Sequence, residues 1–378
     1  MNFLSKILIK YIQYVILLLS YLFFRCFRRF LKRVSWVIGV DEMASVISSL
    51  KNLFPNTYTV SLSKNSFYNS DYNIFNKYNN RLLSQLYRGF CGPIALGFLS
   101  NKSNKFLYIW KTGFLVDREL EFKFLKSKRK KIVCMFVGSD IRSLELRKKL
   151  YKKLNIDGSA NYLDKINNEK EVKEVARVAD KFADVIFSAS VDQVSYLKSK
   201  QYFPFFYYNK NNFYHNDDKF YNKIKIIHAP SNPVIKGTQV VRAAIKKLEL
   251  EGYSFEYLEM QNMDNSILLE HLKSSHIVLN EFYAFALGVL SIEAMANHCA
   301  VLTSSDPLIE IGLPQNEKDA WFKTQAWEIY DNLKYLLDNP KKIKYYADNG
   351  FDYALKNHTH EAVSEYVNKV LKENGITF

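Results

Sequence analysis

The chain has 378 residues, enough for two domains, and 48% of them are apolar, enough for each to bury a core. The net charge of +15 calls for an anionic partner. Yet there is no zinc-finger spacing, ribonucleoprotein aromatic motif or basic-zipper heptad, so lipid is favoured over nucleic acid as that partner, and a basic RNA-binding protein is a third reading with only charge behind it. Asn, Lys, Ile, Tyr and Phe are all abundant, so part of the lysine excess is compositional. Cys26, Cys91, Cys134 and Cys299 form no Cys-x-x-Cys pair. They read as thiols in a reducing compartment rather than disulfides or metal ligands.

The charge is concentrated. Lys6, Lys10, Arg25, Arg28, Arg29, Lys32 and Arg33 fall in a leading segment without Asp or Glu. A second cluster runs from Lys123 through Lys126, Lys128, Arg129, Lys130 and Lys131. Between the first cations, Tyr11 to Phe24 is apolar apart from Gln13 and Ser20. This run falls short of the ~20 residues of a spanning helix, and no small-residue cleavage site follows it. Residues 1–34 therefore read as a membrane-associating helix, in the plane of an anionic surface with its cations among the headgroups. A tilted span starting near Phe3 is the second reading, and a buried core helix the third. The cations after the apolar run favour the cytoplasmic face for the rest of the chain.

Residues 35–205 follow an α/β pattern. Ser35 to Val40 is a strand that carries Gly39, and Asp41 and Glu42 open a helical pattern through Met43, Val46, Ile47 and Leu50. Strands are expected at Tyr58–Leu62, Lys105–Trp110, Lys131–Val137 and Ala183–Ser188, with a helix over Asp117–Lys126. The strand at Lys131 closes on Gly138-Ser139-Asp140. Phe203 to Asn222 has little periodicity and reads as the interdomain connection. The alternation then restarts. Strands are expected at Lys225–His228, Ser254–Glu259, His276–Asn280 and Ala300–Thr303. Helices are expected at Thr238–Leu250, Ile267–Ser274 and Gly288–Asn297. Strands alternating with helices predict two doubly wound, Rossmann-like parallel sheets, the second over residues 206–378. The last helix is free to pack back on the first domain.

Two segments carry the chemistry. His228 to Thr238 reads HAPSNPVIKGT, and Asn280 to Thr303 reads NEFYAFALGVLSIEAMANHCAVLT. Together they resemble the donor domain of glycosyltransferase family 4, with Lys236-Gly237 after the first strand of the second domain and Glu293-Ala294-Met295-Ala296 on a helix about sixty residues later. The resemblance covers roughly Ile224 to Leu371. It implies a GT-B glycosyltransferase that retains anomeric configuration, needs no metal and takes a nucleotide-sugar as substrate. Lys236 would face the diphosphate. Gly237 would admit the backbone, and Thr238 opens a helix whose N-terminus favours anions. Gly288 lies in the loop before Glu293, and Glu293 would accept the ribose hydroxyls.

The departures are as informative. The family's arginine five positions before the lysine is Ser231 here. Its second glutamate, eight positions before Glu293, is Phe285, and Glu281 is the carboxylate expected to take over beside the sugar. In the first domain, Gly39 matches the family's glycine loop near the diphosphate. Asp140 and Glu42 are candidates for orienting the acceptor hydroxyl, with helix N-caps as the competing reading. Arg142 is a candidate phosphate contact on either substrate. The membrane-seeking segment implies a lipid-linked or surface-glycan acceptor. Asp-x-Asp, the Walker loop, Gly-x-Gly-x-x-Gly and Gly-x-Ser-x-Gly are absent from the sequence. The rival to an active transferase is a GT-B scaffold that has lost turnover and binds a partner transferase, with Ser231 and Phe285 as its evidence.

Overall fold

Strands buried on both faces read as continuous apolar runs, and the chain uses such runs to build two parallel sheets. The computed structural model describes residues 3–42, 46–63, 72–153, 168–188, 194–204, 207–283, 287–306 and 319–377. Met43 and Phe285 lie outside them.

The first half runs α1 (Phe3–Cys26), β1 (Trp36–Val40), α2 (Val46–Leu53), β2 (Thr57–Ser61), β3 (Ile74–Phe75), α3 (Arg81–Lys102) and β4 (Lys105–Ile109). It continues with α4 (Arg118–Ser127), β5 (Lys131–Phe136), α5 (Leu144–Lys153), α6 (Glu169–Phe182), β6 (Val185–Ser188) and β7 (Gln201–Tyr202). The second half runs β8 (Lys225–His228), α7 (Pro233–Lys236), α8 (Thr238–Leu250), β9 (Glu256–Glu259), α9 (Asn265–Lys273), β10 (Ile277–Leu279), α10 (Gly288–Ala296) and β11 (Ala300–Thr303). It ends with β12 (Phe322–Lys323), α11 (Ile329–Asp338), α12 (Pro340–Asn357) and α13 (His360–Glu373).

Among the described residues the first sheet has the order β3-β2-β1-β4-β5-β6-β7, and the second β12-β11-β10-β8-β9. Every pairing is parallel. In each sheet the chain reverses its direction of winding beside the first strand, β1 or β8, which is where open α/β sheets bind ligands.

The segment after β7 does more than connect. Tyr208 N donates to His358 O at 2.9 Å, His360 N donates to Tyr208 O at 3.0 Å, and Tyr214 N donates to Ala296 O at 2.8 Å. It is thus laced to α10 and to the junction of α12 and α13. From that junction α13 returns to the first domain, where Val363, Val367, Val370 and Leu371 join Trp36, Ile38, Ile47 and Leu50 in one core.

The apolar N-terminal run extends in both directions to give α1, and its two polar residues dock it. Gln13 Nε2 donates to Gly89 O at 3.0 Å and Gln13 Oε1 accepts from Val116 N at 2.8 Å. Ser20 Oγ donates to Ile94 O at 2.9 Å. Leu17 and Tyr21 are buried with Leu96, Leu99 and Phe124. The partner helix α3 lacks a clean amphipathic period because it is apolar on both sides. Ala95, Leu96 and Leu99 face the core, while Leu86, Phe90 and Ile94 face outward. Gly97 is what lets the pair close, since a methyl group there would sit 2.7 Å from Tyr21 N and 2.5 Å from Ser20 Oγ. Gly97→Ala should lower unfolding stability by about 1–2 kcal/mol, overpacking exceeding the gain in helix propensity. Gly89→Ala, where nothing lies within 4 Å, should instead leave stability unchanged or raise it by up to ~1 kcal/mol. Urea denaturation of the two variants checks both.

Candidate functional site

The turn after β8 is set by His228. Its Nδ1 lies 2.8 Å from Leu279 O and its Nε2 2.8 Å from Thr238 Oγ1. A carbonyl only accepts, so Nδ1 carries the proton. Burial lowers the pKa of the ring, which is therefore neutral at pH 7, and Nε2 accepts from the Thr238 hydroxyl. Thr238 is fully buried, so it opens α8 without offering its hydroxyl to a ligand. Gly237 holds φ 74° between α7 and α8, a conformation suited to glycine. A methyl group there would lie 3.3 Å from Phe282 Cβ and 3.6 Å from the Tyr283 ring. Ser231 is exposed in the loop before α7.

The loop after β10 meets this turn. Lys236 Nζ and Glu281 Oε2 are 2.5 Å apart, with side chains 17% and 12% exposed. Glu281 holds φ 52°, an uncommon conformation for a side-chain-bearing residue. Its carbonyl is pinned by Ser304 Oγ at 2.9 Å, Ser304 N at 3.2 Å and Thr303 Oγ1 at 3.2 Å. Asn280 Nδ2 donates to Leu287 O and Ser291 Oγ, both at 2.9 Å, fixing the start of α10. Gly288 stands at that start with φ 69°; a methyl group on it would lie 3.2 Å from Glu281 Oε2 and 3.9 Å from Lys236 Nζ. Lys236, Glu281, Gly237 and Gly288 thus converge around the N-terminus of α10, where unpaired backbone N–H groups favour an anion.

Glu293 lies further along α10 and is 4% exposed. Its Oε1 accepts from Asn265 Nδ2 at 3.0 Å and from Tyr208 Oη at 3.3 Å. Burial raises its pKa, an effect the two hydrogen bonds partly offset. It lines a cavity of about 420 Å³ together with Tyr208, Phe213, Ser266, Lys273 and Asn297. Tyr208 and Asn265 reach it from far along the chain, and sequence spacing gives no sign of either.

On the first domain, Gly39 lies inside β1 rather than in the loop after it, with Val60 O 2.7 Å from where its Cβ would be. There the glycine serves sheet packing. Glu42 is buried, accepting from Ile47 N at 3.0 Å and Tyr72 Oη at 2.8 Å. Asp140 is fully buried and accepts from Gly138 N at 2.8 Å and Val137 N at 3.3 Å. The sequence allowed either an acceptor-facing or a capping role for these carboxylates, and the structure turns both onto backbone N–H groups. Arg142 is half-buried, its guanidinium 4.0 Å from where a Gly138 Cβ would be. Toward the loop after β10, Arg147 on α5 crosses to the second domain, its Nη2 donating to Tyr283 O at 3.5 Å. This contact brings the segment after β5 to the loop between Glu281 and Gly288.

Among the described residues, one group has the composition of a metal site. His215, Asp217, His298 and Asp348 place ligand atoms within 4.8 Å of one another. Lys344 Nζ already lies 2.8 Å from Asp217 Oδ1 and 2.9 Å from Asp348 Oδ2, and the two imidazoles stack at 3.9 Å. An ammonium therefore supplies the cation, and the group ties the segment after β7 to α12.

No protein-family model and no curated protein matches this chain. Solved structures do. The sucrose-phosphate synthase of Thermosynechococcus elongatus superposes with a TM-score of 0.61 at 12% identity, over 90% of this chain and 99% of that one. WaaG, a glycosyltransferase involved in lipopolysaccharide biosynthesis, superposes with a TM-score of 0.53 at 10% identity, over 88% of this chain and 99% of that one. The fold is GT-B. In GT-B terms, α10 and the turn after β8 lie in the C-terminal domain, and Arg147 and Arg142 in the N-terminal one.

The buried Asp140 gives a test of its assignment. Burial raises its pKa to about 6, the backbone hydrogen bonds opposing the shift. The unfolded carboxyl titrates near 3.8, so the folded chain holds the extra proton between these values. Its contribution to stability is complete below the lower value and lost as pH rises to about 6. Asp140→Asn should flatten that loss by about 1–3 kcal/mol relative to wild type, read from unfolding curves between pH 4 and 7.

Proposed function

We propose that the protein transfers a sugar from a nucleotide-sugar bound to its C-terminal domain onto an acceptor held on the N-terminal side of the cleft. The single observation that carries this reading is the meeting of Lys236 and Glu281 at the N-terminus of α10, beside the close backbone approach at Gly288. Breaking the bond between the anomeric carbon and the distal phosphate oxygen leaves the departing diphosphate with an added negative charge. The Lys236 ammonium and the N–H groups that open α10 are placed to stabilise it. The acceptor oxygen bonds to the anomeric carbon, and its proton passes to the leaving diphosphate. In this reading no metal takes part and configuration is retained, as the family resemblance implies. Glu281 stands for the missing glutamate at Phe285 and accepts hydroxyls of the sugar. Glu293 takes the ribose once Tyr208 gives way.

The acceptor is lipid-linked or part of a surface glycan, met at the cytoplasmic face of a membrane. The cations after the apolar helix and the nucleotide-sugar substrate both support that side.

The competing reading is a scaffold without turnover that binds a partner transferase. Two observations favour it: Glu281 neutralises Lys236, and Tyr208 together with Asn265 occupies Glu293.

Titration of the purified protein against UDP-, GDP-, dTDP- and CMP-sugars in EDTA decides between them. One donor should bind, with Lys236→Ala and Glu293→Ala each weakening it about 10–100-fold, the loss of a charge-assisted hydrogen bond. Binding of none of the four would favour the scaffold. Glu281→Gln should lower turnover of the donor that binds; unchanged turnover would remove Glu281 from the mechanism.

A further inference from the structure

Among the described residues, nothing covers the apolar outward faces of α1 and α3. Val15, Leu19 and Leu22 on α1, and Leu86, Phe90 and Ile94 on α3, are each 44–64% exposed. The two helices run parallel. Gln13 bonds to Gly89 and Ser20 to Ile94, and the rings of Phe24 and Phe98 meet at 5.0 Å. The two stripes therefore lie side by side and form one surface, of a kind that marks a membrane or protein contact.

Charge identifies the occupant. At the C-terminal ends of both helices stand Arg28, Arg29, Lys32, Arg33 and Lys102. Among the described residues, no carboxylate is paired with Arg28, Lys32 or Arg33. These cations crowd one another. Burial, and then Arg28 and Arg33, push the nearby Lys130 down to about 8, and burial and then Lys32 push Lys102 down. An apolar face edged by uncompensated cations matches a lipid surface that carries negative headgroups.

The same structure decides how α1 meets that surface. Leu8–Cys26 is long and apolar enough to cross a membrane by length and composition. Crossing would strip Leu17 and Tyr21 from the core they share with Leu96 and Phe124, and would break the Gln13 and Ser20 bonds.

We propose that α1 and α3 together form a docking face for an anionic bilayer, both helices lying along the membrane surface with their C-terminal cations among the headgroups. α3 is as much a part of this face as the N-terminal helix. Its first turns lie at the carboxyl ends of the strands, where Arg88 pairs with Asp41 just after β1 at 3.1 Å. The docked face thus has the cleft edge of the first sheet at one end and the cations at the other. If the glycosyl-transfer reading holds, an acceptor anchored in that bilayer enters from this edge.

Flotation of the full-length protein with phosphatidylcholine vesicles, with and without phosphatidylglycerol, tests the face independently of donor binding. Wild type should float only with the anionic vesicles. Leu86→Glu/Phe90→Glu, which leaves α1 untouched, and Arg28→Glu/Lys32→Glu should each bind them about tenfold or more weakly. Both variants should unfold at the wild-type midpoint and bind the donor as wild type does. Wild-type flotation of the α3 variant would overturn the proposal, since α1 alone would then be the anchor. Equal flotation with both vesicle types would overturn the match to anionic headgroups. A dimer in sedimentation velocity that the α3 substitutions dissolve would assign the face to a second copy of the chain instead.

Discussion

A lysine and a glutamate meeting where a helix begins is the interaction on which the site depends. Glu281 reaches Lys236 because its own carbonyl is held by Thr303 and Ser304 at the end of β11, which fixes the residue in a left-handed conformation and turns the carboxylate back toward β8. Gly288 keeps a side chain out of the space beside the pair, and Gly237 leaves room for Phe282 and Tyr283. Hydrogen bonds thus spend the backbone of three strand ends on the placement of one ammonium. In a protein stabilised by only some 5–15 kcal/mol in total, the left-handed backbone at Glu281 persists because these hydrogen bonds hold it.

The C-terminal domain was legible because its strands are short apolar runs bounded by turn residues, and Lys225–His228, Thr238–Leu250 and Ala300–Thr303 fall where periodicity puts them. The first domain was less so. α3 is apolar on opposite sides and holds Gly89, Gly92, Pro93 and Gly97, so neither period nor propensity marks it. The two-residue strands β3, β7 and β12 are too short to alternate.

Within the site, Lys236 and Gly237 were legible through the family resemblance, Gly288 as the glycine before the Glu293 helix, and Glu281 by its place just after β10. Tyr208 and Arg147 were not, because the contacts they make span 85 and 136 residues. Glu42 and Asp140 show the converse limit. A carboxylate after a strand looks the same in sequence whether it faces a cleft or binds the backbone N–H groups beside it. The polar residues of α1 were visible but ambiguous, and only the partner helix shows that Gln13 and Ser20 dock it.

In the proposed reaction Lys236 exchanges Glu281 for the diphosphate of a donor. Calorimetric titration of wild type and Glu281→Gln with the nucleoside diphosphate of the donor that binds tests it most directly. Removing the competing carboxylate should tighten the diphosphate severalfold, because Lys236 then enters the exchange unpaired and the Glu281 charge no longer faces the diphosphate. Equal or weaker binding by Glu281→Gln would rule this exchange out, since Glu281 would then hold Lys236 in place rather than yield it to the diphosphate.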